Sequence, residues 1–117
     1  MQISAFPKRY LDAISFDKSM SVFDWIEMAT MLPAEGLEMR EGFLWQLDDA
    51  YADSVAAAIQ DAGFAMPMMC CSPDFTNPDA DARKRAVEHE AEMIRITRRM
   101  GGPARSAVCS PANATRR

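Results

Sequence analysis

The run from Phe64 to Cys71, Phe-Ala-Met-Pro-Met-Met-Cys-Cys, is apolar throughout and is bounded by Gly63 and by Ser72-Pro73. A run this short with no polar alternation predicts a strand buried on both faces, as in a parallel sheet covered by helices. The rest of the chain supplies elements of the matching kind. Gln2 to Pro7 reads as a first strand that stops where proline removes a backbone donor. Ser21 can cap a helix whose apolar positions Val22, Trp25, Ile26, Ala29 and Leu32 recur at spacings of three and four, and Pro33 helps to end it. Gly36 to Leu44 places Leu37, Met39, Gly42 and Phe43 around Glu38 and Arg40, a second strand with polar groups on one face.

Asp49 to Ala62 restores the helical period through Tyr51, Val55, Ala58, Ile59 and Ala62, and Gly63 follows where a left-handed cap belongs. Asp79 to Met100 repeats it through Ala86, Val87, Met93, Ile94 and Met100, with acids at its start, Arg95, Arg98 and Arg99 near its end, and Gly101-Gly102 to stop it. Strand and helix thus alternate three times at about 30 residues per unit, the size of a right-handed parallel crossover. The fold class predicted is α/β with a parallel sheet.

At 117 residues the chain holds one domain. Hydrophobic residues make up 49% and charged residues 26%, which excludes the composition of disorder. A net charge of -4 has the wrong sign for general nucleic-acid binding. Every acid lies in residues 1–102, whereas residues 103–117 carry Arg105, Arg116 and Arg117 and no acid, which sets them apart as an atypical tail. Three cysteines, two of them adjacent at Cys70 and Cys71, make no disulfide framework and point to a reducing compartment. The N-terminus has no basic start followed by a long apolar stretch, and the uncharged stretch Ala62 to Pro73 is too short to span a bilayer, so no membrane partner and a cytoplasmic location are expected.

The runs Ile3-Ser4-Ala5-Phe6-Pro7-Lys8, Gly36-Leu37-Glu38 and above all Met66-Pro67-Met68-Met69-Cys70-Cys71-Ser72-Pro73-Asp74-Phe75-Thr76 resemble the first part of the sugar phosphate isomerase/epimerase family with the xylose-isomerase-like barrel. The resemblance covers residues 1 to about 102. It implies the first three β/α units of a TIM (β/α)8 barrel, an incomplete one, since such barrels usually take about 250 residues. It also bears on the tail. Read from the third base of each codon, the codons of this segment permit Val-Cys-Arg-Val-Leu-Ser-Gly-Gln-Arg, which resembles the family's fourth strand and following loop. Residues 103–117 are therefore expected to be translated out of frame.

In barrels of this kind the chemistry lies at the carboxyl ends of the strands, which singles out Phe6, Glu38, Arg40, Ser72 and Asp74. Glu38 and Arg40 are two apart on a strand and share a face. A carboxylate that accepts from hydroxyls and a guanidinium that offers a planar fork of donors suit a sugar or a phosphate; an internal ion pair or a solvated strand end is the alternative. Substrate-binding candidates are Glu38, Arg40, Ser72 and Asp74. Cys70-Cys71 lacks the base or cation that a nucleophilic thiolate needs, so the pair reads as packing. His89 stands between Glu88 and Glu90 on a helix, where adjacent side chains diverge, and reads as solvated or half-buried rather than as a ligand. Glu90 projects near the apolar stripe and is expected to pair or snorkel. The ten methionines read as core filler. The Asn113-Ala114-Thr115 acceptor has no secretory signal to accompany it, and no glycine-rich phosphate loop or zinc signature occurs.

The family resemblance implies a divalent metal held by Glu, Asp and His on later strands, with acid and base groups moving a proton between adjacent carbons of a sugar. None of those ligands is assigned to this chain, so no metal or other cofactor is expected in it, its catalytic residues are unassigned, and it is expected to lack activity as it stands. Its expected ligand is a sugar or sugar phosphate in the complete enzyme. Two other readings are a small α/β module that associates through exposed sheet edges, and a metal-dependent endonuclease of abasic sites that shares the barrel; the acidic charge opposes the latter.

Overall fold

The computed structural model describes residues 2–102 and, for backbone alone, residues 106–108. The elements run β1 (Ser4–Ala5), α1 (Leu11–Ser15), α2 (Val22–Ala29), β2 (Gly36–Leu37), β3 (Met39–Arg40), α3 (Asp49–Asp61), β4 (Met69–Cys71), α4 (Ala80–Arg99) and β5 (Ser106–Val108), with short 3-10 turns at Lys8–Tyr10 and Glu41–Phe43. All strand pairings are parallel. β1 lies beside β2 with Ser4 opposite Gly36, β3 beside β4 with Arg40 opposite Cys70, and β4 beside β5 with Cys70 opposite Ala107. β2 and β3 are successive pieces of one strand. Glu38 N–H donates to Ala5 O at 2.9 Å on one side, and Leu37 and Met39 N–H donate to Ala65 O and Met68 O at 2.8 and 3.0 Å on the other. The expected parallel α/β order is thus present, with β5 as a further strand. The rest of the tail predicted to be out of frame lies outside the described residues.

Local chemistry explains the helix starts. Ser21 Oγ accepts from Asp24 N at 3.2 Å while Asp24 Oδ2 accepts from Ser21 N at 2.9 Å, a reciprocal capping box that opens α2. Asp48 accepts from Tyr51 N at the start of α3, and Asp79 accepts from Asp81 N and Ala82 N at the start of α4. Gly63, at φ +85°, takes the left-handed position beyond α3.

Several boundaries differ from the sequence reading. α1 was not foreseen, because its five residues are too few to display a helical period. α2 ends at Ala29, leaving Leu32 43% exposed. The second strand stops at Arg40, where the chain turns into the 3-10 segment Glu41–Phe43 so that Phe43 enters the core. The third strand shrinks to Met69–Cys71, with only an isolated bridge from Ala65 to Gly36 before it, because Pro67 between them has no N–H to give. The prediction that Phe64–Cys71 has no wet face also fails in part: Ala65 is exposed and Pro67 and Met68 are half-buried. On α4 the buried side is Glu90, Met93, Ile96, Thr97 and Met100, whereas Val87 and Ile94, placed in the stripe by spacing, are 57% and 37% exposed.

The core lies between sheet and helices. Leu37, Met39, Met69 and Cys71 point from the strands to meet Val22, Trp25, Ile26, Val55, Ile59, Met93 and Ile96, all buried. Across the helix layer Arg95 Nη2 donates to Asp49 Oδ1 at 2.8 Å, and Arg99 forks onto Asp53 at 2.8 and 2.9 Å. The hydrogen bonds from Arg95 hold the Asp49 and Glu92 carboxyls below the ordinary carboxylate range, and that from Arg99 does the same for Asp53. A carboxyl whose pKa is lowered on folding contributes stability above its unfolded value and loses it as pH falls through the folded one. The melting temperature should therefore hold steady at neutral pH and fall on acidification below about pH 4. Thermal melts of Arg99→Gln should show a shallower acid decline; superimposable declines would place its source elsewhere.

Candidate functional site

Side-chain alternation divides the strands into two faces. Leu37 and Met39 are fully buried toward the helices, so Gly36, Glu38 and Arg40 occupy the opposite face. The registers Ser4 to Gly36 and Arg40 to Cys70 put Ser4 and Cys70 on that face as well, and Ser72, two residues beyond Cys70, follows it at the carboxyl end. Ser4 Oγ donates to Glu38 Oε1 at 2.8 Å, which orients the carboxylate across the β1–β2 seam. Glu38, Arg40 and Ser72 are each half-buried. The face thus carries an oriented acceptor, a cationic donor fork and a hydroxyl, groups that match the alternating donors and acceptors of a polyol.

At the carboxyl end of β3 a cavity of about 270 Å³ opens, lined by Ser15, Phe16, Arg40, Glu41, Gly42, Leu44 and Leu47. One wall is apolar and the edge is charged. Ser15 Oγ is buried there without a hydrogen-bond partner, packed against Gly42, where a Cβ would sit 2.9 Å from it. Phe43 turns from this rim into the core and stacks on Phe6, with ring centroids 5.8 Å apart.

Of the residues singled out by sequence, the structure gathers Glu38, Arg40 and Ser72 on one face. Phe6 serves as packing beneath the rim. Asp74 is exposed, and its Oδ1 accepts from Thr76 N and Thr76 Oγ1 at 3.0 and 2.9 Å, which ties its carboxylate to the local turn. Ser4, Ser15 and Phe16 were missed. Ser4 acquires its place from strand register and Ser15 from α1, neither of which has a sequence signature.

His89 is half-exposed, as expected, but it has a partner 48 residues away: Nε2 lies 2.6 Å from Glu41 Oε2, so α4 is tied to the 3-10 turn after β3. No group of three or more His, Cys, Asp or Glu side chains among the described residues comes together to hold a metal. The donors present meet in pairs, Glu41 with His89 and Glu38 with a serine hydroxyl, and do not fit the metal that the family resemblance implies. Cys70 and Cys71 are both buried. No helix among the described residues is long and apolar enough to cross a membrane.

The sequence profile of the xylose isomerase-like TIM barrel matches residues 21–115. No curated protein matches the chain in sequence. Among solved structures, D-psicose 3-epimerase from Clostridium cellulolyticum H10, crystallised with D-tagatose, is similar over 100% of this chain, with a TM-score of 0.68 and 17% identity. An identity that low speaks to the fold alone. The chain spans 41% of the length of that epimerase chain.

Proposed function

Because the chain belongs to the xylose isomerase-like TIM barrel family, we propose that it binds a sugar or sugar phosphate on the face formed by Glu38, Arg40 and Ser72, as the opening part of a sugar isomerase- or epimerase-like barrel. The observation that carries this reading is the hydrogen bond from Ser4 to Glu38 across two parallel strands, with Arg40 one residue pair further toward their carboxyl ends, where barrels of this class do their chemistry. Glu38, held by Ser4, accepts hydrogen bonds from sugar hydroxyls. Arg40 donates to an oxygen-rich or anionic group, and Phe16 offers its ring to the C–H face of the ligand. The described residues contain no metal donor set, so no proton-transfer step is assigned to them, and the 117-residue chain by itself is read as binding without turnover.

Titration calorimetry with free ketohexoses and their phosphates tests the reading. Arg40→Ala should weaken binding about 10-fold or more, the loss of a charge-assisted hydrogen bond of about 1.5–3 kcal/mol. Glu38→Gln should weaken it less, since an amide still accepts. Affinities indifferent to both substitutions would remove these residues from the site, and interconversion of ketohexoses by the 117-residue chain would overturn the assignment of binding without turnover.

A further inference from the structure

Arg40 has two carboxylates as its natural partners, Glu38 two residues before it on the same strand face and Glu41 next to it on the rim of the same cavity. Each is held elsewhere. Glu38 Oε1 accepts from Ser4 Oγ at 2.8 Å, and Glu41 Oε2 lies 2.6 Å from His89 Nε2. A carboxylate only accepts, so the imidazole nitrogen donates that bond. The half-buried guanidinium of Arg40 makes no hydrogen bond or ion pair among the described residues. Taking a charge out of water without a partner is costly, and the cavity of about 270 Å³ beside Arg40 leaves room for an anionic group to supply one.

The tether comes from the edge of the buried stripe of α4. His89 stands four and seven residues before Met93 and Ile96, both buried, so it continues their stripe toward the start of the helix. α4 packs on β4, and β4 touches the turn Glu41–Phe43, which brings the imidazole to Glu41. Glu92, three residues further along α4, is taken by Arg95 at 2.7 and 3.0 Å. With side chains 44% and 26% exposed, His89 and Glu41 form a pair that adds little to stability, so its consequence lies in where it keeps the carboxylate. We propose that His89 is a positioning residue for this site: by holding Glu41 aside it keeps the Arg40 fork open to an anion, and the cavity therefore takes a phosphorylated sugar in preference to the free sugar. Released, the Glu41 carboxylate would compete with the ligand for Arg40 or repel its phosphate across the same cavity. The inference rests on the sugar-binding reading above and adds to it the class of ligand and the residue that selects it.

Titration calorimetry of the 117-residue chain with D-fructose 6-phosphate and with D-fructose separates this role from a structural one. His89→Ala is expected to weaken binding of the phosphate ester about 10-fold, the size of one charge-assisted hydrogen bond, and to leave the affinity for D-fructose and the thermal stability unchanged. His89→Gln, whose amide still donates to Glu41, should keep the preference. In a Glu41→Gln background, where no carboxylate is released, His89→Ala should make no difference to either ligand. Heteronuclear NMR gives a readout without ligand: the Arg40 Nε–H should exchange more slowly with water in His89→Ala, because the guanidinium then gains a carboxylate. A phosphate ester bound equally well by His89→Ala, an equal loss for both sugars, or a loss that persists in the Glu41→Gln background would each overturn the role of His89, while a loss of binding in Arg40→Ala would still uphold the sugar site. A chain that binds D-fructose as tightly as its phosphate would overturn the preference, and indifference to Arg40→Ala would remove both the site and the role of His89.

Discussion

Phe43→Ala is expected to lower the unfolding free energy by about 3–5 kcal/mol, the range for emptying a buried aromatic site. Phe43 is fully buried and stacks on Phe6 at 5.8 Å with the rings 20° apart. It also anchors the 3-10 turn Glu41–Phe43, whose other residues line the cavity beside Arg40. A domain of this size has about 5–15 kcal/mol in all, so the loss is a large share of the total. Guanidinium titration should show the midpoint falling with an unchanged slope. A loss of only about 1 kcal/mol, the cost typical of an ordinary substitution, would mean that the turn holds its place without the aromatic stack. Because the turn carries Gly42 and Glu41, ligand binding at the cavity should weaken in the same variant at temperatures where it is still folded.

Gly36→Val is expected to destabilise by about 1–3 kcal/mol, the cost of forcing extra methyl groups into a packed site. Strand propensity taken alone predicts the opposite sign, since valine is a better strand former than glycine by up to about 1 kcal/mol. Packing decides the matter. A Cβ at Gly36 would lie 3.0 Å from Pro67 Cδ and 3.2 Å from Ala65 O, a rigid ring and a backbone carbonyl that cannot swing aside. The same residue pairs with Ser4 on one side and bridges to Ala65 on the other, so any shift strains both neighbours. Chemical denaturation of Gly36→Val and Gly36→Ala separates the contributions: alanine should lose less than valine, and a gain from valine would show that propensity outweighs the contact.

The legible parts of the chain were those in which a local signal repeats. Ser21 with Asp24, Gly63, and the apolar spacing of Asp49–Ala62 each specify an element through contacts within a few residues, and α2 and α3 formed where those signals lie. The α4 stripe was read less well. Val87 and Ile94 satisfy the helical period, but the helix is turned so that Glu90 and Thr97 are buried and those two are exposed. A period says that a stripe exists, while the side that meets the sheet depends on what stands opposite. Pro67 marks another boundary of local reading: an apolar run spells a strand, but the ladder needs N–H groups that proline lacks.

The candidate site divides in the same way. Glu38 and Arg40 share a face because side chains alternate along any strand, and that follows from sequence alone. The hydrogen bond from Ser4 to Glu38 needs the register of two strands 34 residues apart, and the cavity beside Arg40 needs Ser15 and Phe16 brought up by α1. His89 likewise meets Glu41 only because α4 packs against β4, the strand paired with the one that precedes that turn. By itself the sequence determined the α/β class, the starts of α2, α3 and α4 and which residues share a strand face, all consequences of short-range sterics and capping. The tertiary structure alone decided the register, the orientation of α4, the partners of Glu38 and His89 and the sign expected for Gly36→Val, because each depends on atoms that chain folding brings together from far apart in the sequence.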